Sequence, residues 1–335
     1  MTEKQYGGKN PFDFKNKFSE NPNNIKKEIK INQEKEKQTE NPKYEIEKLI
    51  QAGKIASQVK EYSRSIIKKD IPLLEIAEKI ESKIFELGGK PAFPINISIN
   101  ETAAHDNPSH DDKRLAYGLL KVDLGVHING FIADTALSID LENSEENKNL
   151  ILSAEKALEK ALEKISLGIE LYKIGQEIES TIKSFGFVPI HNLSGHAIEN
   201  YELHSGLTIP NINNSQNKKI IEGIYAIEPF STNGFGEVKD GKPSGIYEII
   251  KEGNVRDAFA REVLLYIKEN YKTLPFCSRW LYKKFDSRCL ISLKRIEEAG
   301  IIRQFNQLIE KNSGKVAQAE HTIIILKDKK IITTK

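Results

Sequence analysis

The stretch VDLGVHINGFIADTALSI, residues 122–139, constrains the fold more than any other part of this sequence. Asn129-Gly130 is the strongest short-range signal for a β-hairpin, because both central positions of a type I′ turn need positive φ. If these two residues form the loop, Ile128 pairs with Phe131. The sequence therefore predicts two antiparallel strands in one fixed register.

In this register two aspartates lie on the same face of the hairpin. Asp123 faces Ala136 and Asp134 faces Gly125, so the aspartates are diagonal neighbours with Cα atoms about 7–8 Å apart. Small side chains, including that of Ser138, line this face, and the apolar residues point to the other face, toward a core. Two partly buried carboxylates repel unless they share a proton or a cation. This stretch alone allows either a metal site or an exposed hairpin with solvated acids.

Two glutamates and a histidine extend this set of polar residues. Glu228 in GIYAIEPF and Glu320 in VAQAEHTIIIL each lie inside an apolar strand pattern, where an unpaired charge would cost several kcal/mol. With the aspartates and His196 in SGHAIEN, they make up the ligand set of a two-metal hydrolytic centre. Two divalent ions about 3.5–4 Å apart can bridge one water and lower its pKa.

Helix and strand patterns alternate along the chain and predict an α/β (α+β) fold. Apolar spacing predicts one helix from Ile46 to Ile55 and a further helix through Val59 and Ile67, after which Pro72 opens a third. Two more helices follow the hairpin. Strand patterns occur at PAFPINISIN, GFVPI, GIYAIEPF and AEHTIIIL.

Composition divides the chain into three parts. Residues 1–43 are rich in Lys, Asn and Glu and cannot bury enough surface to offset their ordering entropy, so we expect a disordered tail. Its mixed charge could contact ribosomal RNA, or it could be solvated without a partner. Residues 44–335 form the folded domain. A helical block at 257–312 interrupts it as a subdomain and ends in IIRQFNQLI, a candidate short strand.

Charge and cysteine content exclude several classes of protein. The 50 basic and 48 acidic residues leave a net charge of +2, so DNA is not an expected partner. Cys277 and Cys289 are too few for a disulfide framework and indicate a reducing compartment. We expect neither a membrane span nor a secretory signal, since no apolar run approaches about 20 residues. A soluble cytoplasmic α/β protein is therefore predicted.

Several motifs together carry a family resemblance. The chain resembles the methionine aminopeptidases, specifically the type 2 (archaeal and eukaryotic) branch, from Tyr44 to its C-terminus. The resemblance implies the pita-bread fold, with two pseudo-symmetric halves around a dinuclear metal site. The helical block around LPFCSRWLYKKF resembles the winged-helix-like insert of type 2 enzymes. The matching motifs are PAFPINISINETAAH, VDLGVHINGFIAD, SGHAIENYELHSG, YAIEPFSTNG and AQAEHTIII.

The resemblance assigns a role to each metal ligand. Asp123 would bind one ion, and Asp134 and Glu320 would bridge the two. His196 and Glu228 would complete the set. Mixed carboxylate and imidazole ligands suit two divalent ions of Co, Mn, Fe or Zn.

The resemblance also identifies residues for the substrate. His105, which closes SINETAAH, would lie near the scissile amide, and His204 in YELHSG would hydrogen-bond the substrate carbonyl. Phe93 and Leu203 would line the methionine pocket. Glu228 is a candidate to carry a proton to the leaving nitrogen. Without the family, the two histidines would be weak signals.

Other polar residues are not expected to take part. His110, His127 and His191 are expected to be ordinary surface or core histidines. STNGFGE lacks the strand and helix that flank a phosphate-binding loop, so we do not expect one. Asp106-Asn107 replace the aromatic and hydroxyl residues usually found after the first catalytic histidine, and the lip of the substrate pocket is expected to differ there.

The implied function is removal of the initiator methionine from nascent proteins whose second residue is small. A hydroxide shared by the metals would attack the first peptide bond, the substrates would be N-terminal methionyl peptides, and the enzyme would be a monomer. One alternative is an Xaa-Pro aminopeptidase or prolidase, which uses the same ligand types but usually carries a large folded N-terminal domain. The other is a non-enzymatic protein- or RNA-binding relative. Such relatives lose ligands, whereas every ligand position is filled here.

Overall fold

The computed structural model describes residues 42–335, with side chains from Ile46 onward. The predicted tail, residues 1–43, lies outside the described residues except for its last two positions, which belong to the first helix. Within the described range, no helix is long and apolar enough to cross a membrane.

Two helices open the described part of the chain, α1 (Pro42–Ile66) and α2 (Leu73–Glu86). The predicted division of the first region into two helices is wrong. One helix runs through the whole region, and Gly53 within it is a close-packing position: a Cβ there would lie 2.3 Å from the Thr333 carbonyl oxygen. The predicted start of α2 after Pro72 is confirmed.

The predicted hairpin is the centre of the first sheet. Its register is confirmed, since Ile128 pairs with Phe131 and each aspartate lies opposite a small residue. Asn129 and Gly130 have φ angles of 51° and 85°, as the predicted turn requires. The apolar face packs against α1 and α2. The strands are β1 (Lys90–Pro91), β2 (Asn96–Ile99), β4 (Leu119–Ile128) and β5 (Phe131–Asp140).

The second half repeats this plan of one sheet covered by two helices. Ser144 caps α3, because its hydroxyl accepts the Asn147 N–H at 3.3 Å. The helices and the sheet share one apolar core. The elements are α3 (Glu145–Lys164), α4 (Leu171–Ser184), β7 (Ser194–Ile198), β8 (Thr208–Pro210), β9 (Gly223–Ile227), β15 (His321–Ile325) and β16 (Lys330–Ile332). The sheet order is β16-β15-β9-β7-β8.

Two smaller sheets complete the described fold. One sheet has the order β14 (Val316–Gln318), β10 (Phe230–Thr232), β6 (Val188–Pro189). The other has the order β12 (Phe276–Cys277), β11 (Val238–Ile249), β13 (Ile302–Glu310), β3 (Thr102–Ala104). The candidate strand in IIRQFNQLI is confirmed as part of β13.

The predicted helical block lies between β11 and β13. Its helices are α5 (Ala258–Asn270), α6 (Ser278–Phe285) and α7 (Arg288–Glu298), and they enclose a separate apolar core. Arg279 of α6 is fully buried and forms two 2.7 Å bonds with Glu81 of α2. This pair ties the block to the first half. The subdomain boundaries at 257–312 remain a prediction.

The glycine-rich loop STNGFGE holds a carboxylate of the protein itself. One Glu310 oxygen accepts the N–H groups of Phe235 and Gly236, and the other accepts those of Asn312 and Gly314. Glu310 is fully buried. The backbone donors that an anionic ligand would need at this loop are therefore already used by Glu310.

Candidate metal centre and active site

One cavity of about 350 Å³ collects every residue that the sequence analysis assigned to the site. It is lined by residues from both halves and from the segments that flank the helical block. The predicted residues among its lining are Phe93, His105, Asp123, Asp134, His196, Leu203, His204, Glu228 and Glu320.

The two glutamates lie in gaps between strands, so their predicted placement inside strands is wrong. Glu228 falls between β9 and β10, and Glu320 between β14 and β15. These gaps face each other, because β9 pairs with β15 and β10 pairs with β14. Pro229 has no N–H to continue the ladder, and at this position both strands pass from one sheet to another. Outside the strands, the side chains of both glutamates need not alternate between the two faces of a sheet.

Side-chain hydroxyls join the hairpin to the second half beside the ligands. The Thr322 hydroxyl accepts the Asp134 N–H at 2.7 Å and donates to the Asp134 carbonyl at 2.8 Å. The Thr135 hydroxyl donates to the Glu320 carbonyl at 2.8 Å. Lys60 of α1 donates to the Thr135 hydroxyl from behind at 3.2 Å. Specific bonds between the halves thus hold Asp134 and Glu320 close together.

The buried carboxylates cannot all be charged without a counter-ion. Burial raises the pKa of Asp123 to about 7. Burial and neighbouring carboxylates raise the pKa values of Asp134, Glu228 and Glu320 well above their usual range. One oxygen each of Asp123, Asp134 and Glu320 is buried and has no hydrogen-bond partner among the described residues. Such a group of acids requires protons or cations.

His196 faces this cluster as a neutral ring. Its Nε2 atom lies 3.7 Å from an Asp134 oxygen and 3.6 Å from a Glu228 oxygen. Its Nδ1 atom lies 3.4 Å from the Ala197 carbonyl, which can only accept, so Nδ1 carries the proton. Burial lowers the pKa of His196 to about 3, so this is not an ion pair. Ligand atoms of Asp134, His196 and Glu320 lie within 4.8 Å of one another, and this donor set fits a divalent cation.

Gln318, which was not predicted as a site residue, connects the two remaining predicted ligands. Its side-chain amide lies 3.4 Å from an Asp123 oxygen and 3.4 Å from a Glu228 oxygen, and donates to both. Gln318 ends β14, two positions before Glu320. Its nearness to Glu320 in AQAEH was the signal available in the sequence.

His105 and His204 stand beside the ligand cluster as neutral rings. The ring centroid of His204 lies 4.3 Å from that of His196. Burial lowers the pKa of His204 to about 4 and also lowers the pKa of His105. The Nδ1 atom of His105 lies 3.2 Å from the Asn306 carbonyl and therefore carries the proton. Its Nε2 atom is left as a hydrogen-bond acceptor.

Apolar side chains form the other wall of the cavity. Phe93 and Leu203 belong to one apolar cluster and are 5% and 8% exposed. Gly125 makes room for the Phe93 ring, because a Cβ at this position would lie 2.3 Å from it. Further apolar lining, which was not predicted, comes from the helical block and its flanking strands and includes Ile246, Pro275, Phe305 and Leu308.

Residues that follow His105 do not form the lip of the cavity, contrary to the expectation for Asp106-Asn107. Both are buried and absent from the cavity lining. Asn107 accepts a hydrogen bond from Arg279 at 3.1 Å. The histidines expected to be ordinary, His110, His127 and His191, also lie outside the cavity lining.

Comparisons with known proteins agree with this geometry. The family model "Metallopeptidase family M24" matches residues 47–325. A methionine aminopeptidase of Pyrococcus abyssi is 45% identical over 295 residues, which are 87% of this chain and 99% of that protein. A second relative, the methionine aminopeptidase of Methanocaldococcus jannaschii, is 44% identical over 86% of this chain and 98% of its own length.

Solved structures share the fold at lower sequence identity. A methionine aminopeptidase from Thermotoga maritima superposes with a TM-score of 0.64 and 23% identity, covering 88% of this chain and 98% of that one. A thermophilic Arx1 superposes with a TM-score of 0.76 and 15% identity, covering 88% and 91%. The predicted pita-bread α/β fold is confirmed.

Proposed function

The chain belongs to metallopeptidase family M24 as a metal-dependent aminopeptidase of the methionine aminopeptidase group, and we propose that it is a type 2 enzyme that removes initiator methionine before a small second residue. The observation that carries this proposal is the single cavity in which the metal-ligand set, two neutral histidines and an apolar wall meet. The cavity has a volume of about 350 Å³, which lies within the range of small-ligand pockets.

The predicted ligands would hold two divalent ions of Co, Mn, Fe or Zn. The unpartnered carboxylate oxygens and the neutral Nε2 atom of His196 support this role. When bound, such ions lower the pKa of a water molecule and so supply the nucleophile. The residues in this role are Asp123, Asp134, His196, Glu228 and Glu320.

The two histidines would act on the substrate peptide bond. His204 is neutral and would donate an N–H to the substrate carbonyl, a bond that strengthens as negative charge develops on that oxygen. His105 would accept the N–H of the scissile amide through its free Nε2 atom. Both contacts orient the bond without placing a further positive charge beside the metal ions.

Phe93 and Leu203 would bind the methionine side chain. Their buried apolar surfaces suit a flexible thioether, which fills irregular apolar space. Pro275 and Phe305 of the cavity lining would add to this pocket or receive the second residue. The specificity for methionine therefore rests on apolar contact rather than on hydrogen bonds.

We place this activity in the cytoplasm, on nascent chains, with the enzyme as a monomer. Cys277 and Cys289 are both buried free thiols, which suits a reducing compartment. A ribosome contact through residues 1–43 rests on their mixed charge alone. Co-sedimentation with ribosomes, of the full chain and of a chain without these residues, tests that contact.

Hydrolysis of Met-Ala, Met-Pro and Ala-Pro peptides tests the proposed function. The protein is stripped with a chelator and reloaded with each metal separately, and Asp134→Ala serves as the inactive control. We expect Met-Ala to be the best substrate and Ala-Pro to be uncleaved. Preference for Ala-Pro would instead assign an Xaa-Pro peptidase. Absence of both metal binding and hydrolysis would assign a non-enzymatic relative.

A further inference from the structure

His105 has a backbone conformation that the surrounding structure must hold. Its φ angle is +60°, which non-glycine residues rarely adopt. It directly follows β3, whose last residue, Ala104, pairs with Leu308 of β13. Residues in such conformations persist where neighbouring contacts fix them, and they concentrate at functional sites.

Asp106, the next residue, is fixed at both its backbone and its side chain. Its carboxylate accepts bonds from both terminal nitrogens of Arg114, at 2.6 and 2.9 Å, and from the Gln307 amide at 2.8 Å. Its carbonyl accepts the Ile97 N–H at 2.7 Å. Asp106 is 2% exposed and does not line the active-site cavity. It therefore cannot touch a substrate there.

Three consecutive residues of β13 contact His105 and Asp106. The Phe305 ring lies 5.2 Å from the His105 ring, edge to face. The Asn306 carbonyl faces the His105 Nδ1 atom at 3.2 Å, and the Gln307 amide bonds to Asp106. The same strand thus fixes the ring of His105 and the residue that follows it.

We infer that Asp106 is a positioning residue for His105, through which the ion pair with Arg114 and the bond from Gln307 aim the imidazole at the scissile amide. The inference rests on the proposed role of His105 in substrate binding. The paired Arg114 offsets the charge of Asp106, so the carboxylate acts by geometry rather than by its field at the metal ions. A misplacement of about 1 Å in a reacting group can lower the rate about a hundredfold.

A double-mutant cycle between Asp106→Asn and His105→Ala tests the inference on the metal-loaded full chain. We expect Asp106→Asn to lower kcat about 10- to 100-fold on Met-Ala, with KM changed less than about threefold and metal content unchanged. In the His105→Ala background the same substitution should change kcat less than about twofold, because its target is gone.

Asp112→Asn is the matched control. Asp112 also pairs with Arg114, at 2.7 Å, but makes no bond to His105 or Gln307 that the structure records. It should leave kcat within about twofold of the unaltered enzyme. If Asp106→Asn fails to fold, Gln307→Leu replaces it, since this variant keeps the ion pair and removes only the bond from β13.

Each contrary result has a distinct meaning. Equal losses with and without His105 would show that Asp106 acts independently of the histidine, and would overturn the inference while leaving the proposed function intact. An equal loss in Asp112→Asn would assign the effect to the whole loop. Near-normal activity of His105→Ala would remove the histidine from the reaction, and the inference with it.

Discussion

Substitution of Glu310 by Gln should destabilise the protein through the backbone of two loops. The carboxylate accepts four backbone N–H groups, two on each oxygen. Glutamine keeps one oxygen and turns an NH2 group toward the other two donors. Hydrogen bonds to a charged group contribute about 1.5–3 kcal/mol each, so losing two removes about 3–6 kcal/mol. Phe235 and Asn312 are exposed, so water can accept hydrogen bonds there and offset part of this loss. The expected net loss in the free energy of unfolding is about 2–4 kcal/mol.

Thermal unfolding of the metal-loaded protein measures this effect. At about 2 °C per kcal/mol, Glu310→Gln should lower Tm by about 4–8 °C. Glu237→Gln is the control from the same loop. The Glu237 carboxylate lies at the surface, 2.9 Å from Lys311 and 3.8 Å from His191, so its replacement should shift Tm by less than about 2 °C. Equal Tm shifts in the two variants, or a shift below about 2 °C for Glu310→Gln, would refute the account of this loop.

Three further predictions concern the metals, the chemistry and the helical block. Asp134→Ala should lose at least one metal and all measurable turnover, and two retained metals by elemental analysis would contradict its assignment. His204→Ala should keep its metals while kcat falls about a hundred- to a thousandfold; a loss under about tenfold would mean that the ring only packs beside the site. Glu81→Ala should lower the free energy of unfolding by about 3–5 kcal/mol, because it leaves the Arg279 charge buried and unpaired. Glu81→Leu combined with Arg279→Met should cost less, and a larger loss would argue against this explanation.

Local chemistry made the hairpin predictable. Asn129-Gly130 determines the turn, the turn determines the register, and the register places Asp123 and Asp134 on one face without reference to the rest of the chain. The convergence of Glu228 on the same site was inferred from its residue type in an apolar context. It required only that buried carboxylates find a common cation.

Features that depend on distant partners could not be read from the sequence. The gap at Glu228 exists because two strands change sheets together, and Pro229 was the only local sign of it. Nothing near STNGFGE indicates that Glu310 fills that loop. The reason for glycine at position 53 is also hidden, because its neighbour Thr333 comes close only in the folded chain. Local sequence patterns predict helices and strands, whereas these three features depend on contacts between helices and strands that are distant in sequence.

The hairpin turn also limits where insertions and deletions can occur in this chain during evolution. Surface loops usually tolerate inserted or deleted residues. Gain or loss of one residue at Asn129-Gly130 would shift the pairing by one position, so the side chains of one strand would change faces. Asp134 would then lie on the opposite face from Asp123. The turn is also tied down, since the Tyr201 N–H donates to the Gly130 carbonyl at 2.9 Å. Active homologues can therefore have longer loops elsewhere, but we expect the Asn129-Gly130 turn to keep its length.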